Sequence, residues 1–304
     1  MTPTRLTLGT VQLGMRYGVA NRTGMPSAED ARAILERALE LGVRSFDTAP
    51  AYGEAEERVG AALRGRDVFL TSKLPALAKS GVPAGELSRV ITRAVESSLA
   101  RLGKIDVYLL HDAGDLRSYG ARLSDALAAE VAAGRIGRAG ASVYGPDDAA
   151  LLLDHPALSA IQFPLSLLDQ RMLPLLPRLR ARGVQSFARS AFLQGLYAFP
   201  RGRAPRRLTM VHDWLDQLHA LTAEHGTTPL AAALPFVADV EQLDSVVIGV
   251  DTIAQLEANV TEFGRPLPGG AALAAALRER FAELPAEAID PSRWPPEPAE
   301  VRPS

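Results

Sequence analysis

The chain has 304 residues, 47% hydrophobic and 22% charged, with 33 Lys plus Arg against 35 Asp plus Glu and a formal net charge of -2. That balance excludes a protein built mainly to bind nucleic acid or an acidic membrane surface. The absence of cysteine excludes disulfides, thiolate nucleophiles, Cys-ligated zinc and iron–sulfur clusters. Met1–Arg5 hold no apolar stretch of signal-peptide length, and no run approaches the roughly 18 apolar residues of a membrane span. The expectation is a cytoplasmic protein without a membrane partner; the sequence does not fix its oligomeric state.

In chain order, β-rich runs fall at Leu6–Gln12, Arg44–Thr48, Val68–Lys73, Asp106–His111, Ala139–Tyr144, Ala160–Ser166, Val184–Ser190 and Ser245–Val250. After the first, Ser27 reads as a helix cap with Asp30 three residues on, and Ala31, Ile34, Leu35, Ala38 and Leu41 give one apolar face stopped by Gly42. Helices are predicted after the later strands at Glu54–Leu63, Glu86–Leu102, Leu116–Ala133, Asp147–Leu153, Asp169–Ala181, Val211–His225 with Leu230–Ala238, and Thr252–Phe263. Eight strand-then-helix units predict an α/β fold, a (β/α)8 TIM barrel, because eight parallel strands close on themselves. A doubly wound open sheet is the competing architecture. It usually carries a Gly-rich phosphate turn after its first strand, and no G-x-G-x-x-G occurs there. The expected organisation is one catalytic barrel over residues 1–284 and a Pro-rich C-terminal tail over 285–304. The tail holds six prolines, is expected to be neither helix nor sheet, and either covers the barrel mouth or hangs free.

Barrel active sites lie at the C-terminal ends of the strands. The second strand ends in Asp47 with Tyr52 on the loop beyond, the third in Lys73 and the fourth in His111. Each alone is ordinary for a strand end; the conjunction on neighbouring strands is not. A phenol can protonate the alkoxide forming from a carbonyl, a nearby ammonium lowers the phenol's pKa, and a carboxylate balances that ammonium. A neutral imidazole can orient the carbonyl oxygen. No residue supplies a hydride, so the set implies a nicotinamide cofactor and a small-molecule carbonyl substrate. His155, His212, His219 and His225 lie away from this rim and form no metal-ligand pattern, so no metal site is expected.

Phe46-Asp47-Thr48-Ala49-Pro50-Ala51-Tyr52-Gly53, Thr71-Ser72-Lys73 and Tyr108-Leu109-Leu110-His111, with the opening Leu8-Gly9-Thr10, resemble the aldo-keto reductases over about 6–263. The resemblance implies a tetrad of Asp47, Tyr52, Lys73 and His111 with Tyr52 as general acid, and NADP or NAD extended across the barrel mouth. Thr10-Val11-Gln12-Leu13-Gly14 with Tyr17-Gly18 resembles a bacterial branch linked to sugar or polysaccharide metabolism, which implies an aldose or sugar derivative as substrate. Tyr17 and Trp294 are the candidate pocket-lining aromatics. The alternative is a cofactor-binding regulatory or scaffold protein with little turnover; a scaffold has no need of Tyr52 and Lys73 together.

The cofactor residues follow the same resemblance. Ser142 and Gln162 match contacts to the nicotinamide carboxamide, although Val143 stands where the family usually has Asn; Tyr144 is placed to stack on the ring. Ser190, Phe192, Gln194 and Gly195 match the loop over the pyrophosphate. Gly249, Thr252, Gln255 and Asn259 belong to the adenosine end. NADPH-preferring members carry Lys and Arg at the places held here by Gly249 and Gln255, and Asp251 stands nearby. Losing two charge-assisted partners of the 2′-phosphate predicts weaker NADP preference than the family norm. Arg189 or an arginine within Arg201–Arg207 is the remaining source of a phosphate contact.

Overall fold

The computed structural model describes residues 2–296. Eight parallel strands close into a barrel in sequence order: β1 (Leu6–Gly9), β2 (Ser45–Asp47), β3 (Phe69–Leu74), β4 (Val107–Leu110), β5 (Arg138–Ser142), β6 (Leu158–Pro164), β7 (Gln185–Arg189) and β8 (Ser245–Gly249), with β1 paired to β8. The helices are α1 (Val11–Gly14), α2 (Ala28–Glu40), α3 (Ala55–Leu63), α4 (Leu87–Leu102), α5 (Gly114–Tyr119), α6 (Ala121–Ala132), α7 (Pro146–Leu153), α8 (Leu176–Ala181), α9 (Thr209–Glu224), α10 (Pro229–Ala238), α11 (Ile253–Phe263), α12 (Gly270–Phe281) and α13 (Ala286–Ile289). No helix among the described residues is long and apolar enough to cross a membrane.

The core has two parts. The larger lies between the strands and the surrounding helices, where α2 buries Ala31, Ile34, Leu35 and Ala38, as its periodicity predicts. The smaller fills the barrel itself: Phe69, Val107, Leu109, Ala160, Phe187 and Val247, with the Phe69 and Phe187 rings 6.2 Å apart. Side chains alternate across a strand, so the next inward positions toward the C-terminal rim follow from these six. They are Thr71 and Lys73 after Phe69, His111 after Leu109, Gln162 after Ala160, Arg189 after Phe187 and Gly249 after Val247. The packed interior is thus a plug, and the polar layer above it is the floor of the site.

Several element boundaries differ from the sequence prediction. β1 stops at Gly9, and Val11–Gly14 turn into α1 instead of extending the strand. The Thr10 backbone N–H and Oγ1 both donate to the Asp47 carbonyl at 2.9 Å, which ends the ladder there. The helix expected at Leu116–Ala133 is two, divided at Gly120 with φ 54° and ψ -136°, a conformation open to glycine. The expected Asp169–Ala181 helix is reduced to a turn at Leu173–Leu175 and α8, because Pro174 and Pro177 fit only helix starts.

The largest omission is α12, whose buried Leu273, Ala274, Leu277 and Phe281 repeat at helical spacing. The tail also departs from expectation. Ala286–Ile289 form a helical turn, and Asp290 caps the next turn by accepting from Ser292 N at 2.9 Å. Ile289 and Trp294 are buried in the outer core, and Arg207 Nη1 donates to the Pro295 carbonyl at 2.6 Å. The expectation for the tail beyond Pro296 lies outside the described residues.

Candidate active site

The floor of the site begins with a buried ion pair. Lys73 Nζ stands 2.6 Å from Asp47 Oδ1 and donates also to the Thr48 carbonyl at 3.1 Å. Gln162 Nε2 donates to Asp47 Oδ2 at 2.8 Å, so both carboxylate oxygens are satisfied. Buried charge is tolerated when it is paired and hydrogen-bonded in this way. Burial pulls the Lys73 pKa down, but the Asp47 carboxylate and the Tyr52 phenol outweigh it; the net shift is upward and the amine stays charged.

Tyr52 lies over that ammonium, with Lys73 Nζ 4.9 Å from its ring centroid. The His111 ring meets it edge-on, centroids 5.7 Å apart and planes at 88°. The loop carrying Tyr52 is set by close backbone packing: a Cβ on Gly14 of α1 would stand 1.8 Å from the Tyr52 carbonyl oxygen. Burial raises the Tyr52 pKa, and the opposing pull of Lys73 does not reverse it. Sequence reasoning expected Lys73 to lower the phenol; Lys73 does pull that way, but desolvation exceeds the ammonium's attraction, so the phenol keeps its proton at neutral pH. His111 is pushed down to about 4 by burial and then by Lys73, so its imidazole is neutral.

Above this floor opens a cavity of about 670 Å³. Asp47, Tyr52 and His111 line one end of it, while Lys73 lies behind them, 1% exposed. Ser142, Tyr144, Gln162, Ser190, Phe192, Gln194, Gly195, Gly249, Gln255, Asn259 and Tyr17 also line it. Besides Lys73, two sequence candidates do not. Trp294 packs into the outer core, and Thr252 caps α11, its side chain accepting from Gln255 N at 3.2 Å. Gln255 in turn accepts from Asp251 N at 2.7 Å. Thr252 is thus the cap of α11, and Gln255 reaches back to the residue before that cap while still lining the cavity.

The loops over the cavity are tied together. Val19 N donates to the Gln194 carbonyl at 3.0 Å, Gln194 Nε2 donates to Tyr17 Oη at 3.1 Å, and Asn21 Nδ2 donates to Asp251 Oδ1 at 2.8 Å. Ser190, Leu193 and Gln194 all have positive φ, 64°, 46° and 56°, a local strain held by these contacts. Tyr144 is fixed from below by Arg171 Nη2, which donates to its carbonyl at 3.0 Å and pairs with Asp169.

Sequence reasoning named Arg189 only as a source of a phosphate contact and did not single out Gln12 or Asn21; all three line the cavity. A Cβ at Gly249 would stand 2.3 Å from the Gln12 amide, so Gln12 fills the space that a side chain at Gly249 would take. The signal for Arg189 was its inward register above Phe187. Amide, hydroxyl and guanidinium groups along the wall fit a dinucleotide. Around Gly249, Asp251, Gln255, Asn259 and Glu262 the wall presents no cation among the described residues. Arg189, the one cation in the wall among the described residues, is turned toward β5, and none of Arg201, Arg203, Arg206 and Arg207 lines the cavity. Among the described residues no group of three or more His, Asp or Glu could hold a metal ion.

Comparisons with known proteins agree with this architecture. Residues 5–269 match the model of the Aldo/keto reductase family. Pyridoxal 4-dehydrogenase of Microbacterium luteolum is 28% identical, the match covering 88% of this chain and 92% of that protein. L-glyceraldehyde 3-phosphate reductase of Escherichia coli K12 is 26% identical over 84% of each. Among solved structures, an aldo-keto reductase from Bacillus halodurans in its holo form superposes with a TM-score of 0.71 at 24% identity, covering 94% of this chain and 95% of that one. The fold, the buried Asp47–Lys73 pair beside Tyr52 and His111, and a family match over nearly the whole length lead to one conclusion: the chain belongs to the aldo/keto reductase family, as an NAD(P)-dependent oxidoreductase.

Proposed function

We propose that the chain interconverts an aldehyde or ketone, with aldoses and sugar derivatives as the favoured class, and the corresponding alcohol, with Tyr52 as proton donor. The observation that carries this is the grouping of Asp47, Lys73, Tyr52 and His111 around one end of the cavity. A bound nicotinamide supplies the hydride to the carbonyl carbon. Neutral His111 retains one N–H, which orients the carbonyl oxygen; Tyr52 delivers its hydroxyl proton to that oxygen as negative charge develops. The Lys73 ammonium then stabilises the phenolate, and Asp47 keeps the ammonium in place. In the alcohol-oxidising direction the phenolate recovers the proton. The relatives' activities on a glyceraldehyde phosphate and on pyridoxal support a small polar carbonyl as substrate.

For the cofactor, Ser142, Gln162, Tyr144, Gln12 and the loop Ser190–Gly195 would hold the nicotinamide half and the diphosphate, and Gln255 and Asn259 the adenosine. Asp251, anchored by Asn21, disfavours a 2′-phosphate and suits a ribose 2′-hydroxyl. NADH is therefore accepted at least as well as NADPH. A panel of aldehydes, ketones and aldoses, run with both cofactors and followed by nicotinamide absorbance, tests the activity. Equilibrium Kd values for NADH and NADPH test the preference; binding NADPH a hundredfold more tightly contradicts it.

A further inference from the structure

We propose that Arg189 is a specificity residue that receives a carboxylate or phosphate group carried by the carbonyl substrate. The inference rests on the catalytic reading above and extends it to the substrate's charge.

Arg189 ends β7 one inward step above Phe187, which places its side chain in the cavity wall rather than on the barrel exterior. Its guanidinium carbon lies 4.6 Å from the Tyr144 ring centroid. Two hydrogen bonds position it: Nη2 donates to the Val143 carbonyl at 3.2 Å, and Nη1 to Ser190 Oγ at 3.3 Å. Both acceptors are neutral. Guanidinium has five N–H donors, so this arrangement holds the plane and leaves donors over.

The charge around Arg189 is not balanced. Among the described residues no carboxylate forms an ion pair with it: Asp47 is paired with Lys73, and Asp169, which lies within electrostatic reach of Arg189, is paired with Arg171. The two remaining carboxylates of the cavity wall, Asp251 and Glu262, belong to the β8–α11 end, where Asp251 accepts from Asn21 and Glu262 pairs with Arg265. With His111 neutral, the catalytic end therefore carries one uncompensated positive charge. That charge is felt at the reacting groups: Arg189 opposes the burial that raises Tyr52 and Tyr17, and adds to the burial that holds His111 down.

A guanidinium without an ion-pair partner among the described residues, over an aromatic ring and within electrostatic reach of Tyr52 and His111, recognises an anion by a charge-assisted and often bidentate contact. Its place beside Tyr52 and His111 favours an anion on the same molecule as the reacting carbonyl. The diphosphate of the cofactor is the competing anion, and the test separates the two.

The experiment uses matched substrates: glyceraldehyde 3-phosphate against glyceraldehyde, and 4-carboxybenzaldehyde against 4-methylbenzaldehyde. Each is assayed with saturating NADH in the wild-type enzyme, Arg189→Gln and Arg189→Lys, alongside the Kd for NADH. In the wild type, kcat/KM is expected to favour the anionic member by about tenfold or more, mainly through KM; Arg189→Gln brings the ratio toward one, and Arg189→Lys restores part of it. An equal loss on both members of a pair, or a ratio unchanged in Arg189→Gln, overturns the proposal. So does a weakening of NADH binding that accounts for the whole effect, which would assign the guanidinium to the diphosphate.

If no carbonyl is reduced, the catalytic reading fails by itself. Calorimetric binding of 4-(hydroxymethyl)benzoate in the presence of NADH then still decides Arg189. A loss of about tenfold in Arg189→Gln supports the anion site, and equal affinity refutes it.

Discussion

Tyr52 and His111 have neighbours that pull in different directions, and the magnitudes decide what each does. Lys73 favours the phenolate, yet burial wins and the phenol is raised above its ordinary value of 10.0. For His111, burial and Lys73 act together, and the ring is held at about 4. The pH dependence follows from these signs. A lowered His pKa keeps the imidazole neutral down to acid pH, and a raised Tyr pKa keeps the proton available into alkaline pH. We expect kcat/KM for carbonyl reduction to be flat from about pH 5 to about pH 9, falling outside that window as His111 gains a proton or Tyr52 loses one. A pH–rate profile with its alkaline limb centred near neutrality would contradict the Tyr52 direction. At this scale Asp47, Lys73 and His111 were legible because each is a titratable residue at the predicted end of one of three successive strands. Arg189 sits in an equivalent place, yet read singly it is one arginine among many. Its significance needs the inward register of Phe187 and the absence of a carboxylate, and the second of these no sequence displays.

Among the elements, the short turn α1 has an effect larger than its length suggests. Its Gly14 touches the loop of Tyr52 so closely that a Cβ would stand 1.8 Å from the Tyr52 carbonyl oxygen and 2.5 Å from Ala55 N. Both obstacles are backbone, so neither can swing aside. Gly14→Ala is therefore expected to displace the catalytic loop and lower kcat by tenfold or more, on the order of what small misplacements cost an oriented site. Thermal unfolding is expected to drop as well, whereas Gly65→Ala, with open space around its Cβ but a φ of 78°, costs only stability. A Gly14→Ala enzyme with wild-type kcat would show that the loop is not positioned by this contact. The sequence places Gly14 just beyond a first strand predicted over Leu6–Gln12, so Val11 and Gln12 read as strand and no turn is foreseen there. The turn is decided instead by tertiary contacts of Thr10 with Asp47. Helix α12 was missed for another reason: alanines fill most of its turns, so the stripe of Leu273, Leu277 and Phe281 is thin.

Over the whole molecule, the strand count sufficed for the barrel, while the tail was misjudged because prolines were weighed and Ile289 was not. The segment beyond Leu284 puts Ala288, Ile289 and Trp294 into the outer core, away from the cavity. Burying Ile289 alone is worth about 1.5–3 kcal/mol, and in a domain of this size each kcal/mol moves Tm by about 2–4 °C. Ending the chain at Leu284 is thus expected to lower Tm by at least about 5 °C; an unchanged Tm would show that the packing of the tail contributes nothing. The proposed function divides two tasks within the cavity: the groups assigned to the dinucleotide line the long wall, and Tyr52, the proposed proton donor, stands at one end. Tyr52→Phe uses that separation. With a turned-over aldehyde as substrate, we expect reduction by NADH to fall by about 10²–10⁴-fold or more while the Kd for NADH stays within about twofold. Comparable turnover in Tyr52→Phe would remove Tyr52 as the acid and contradict the account.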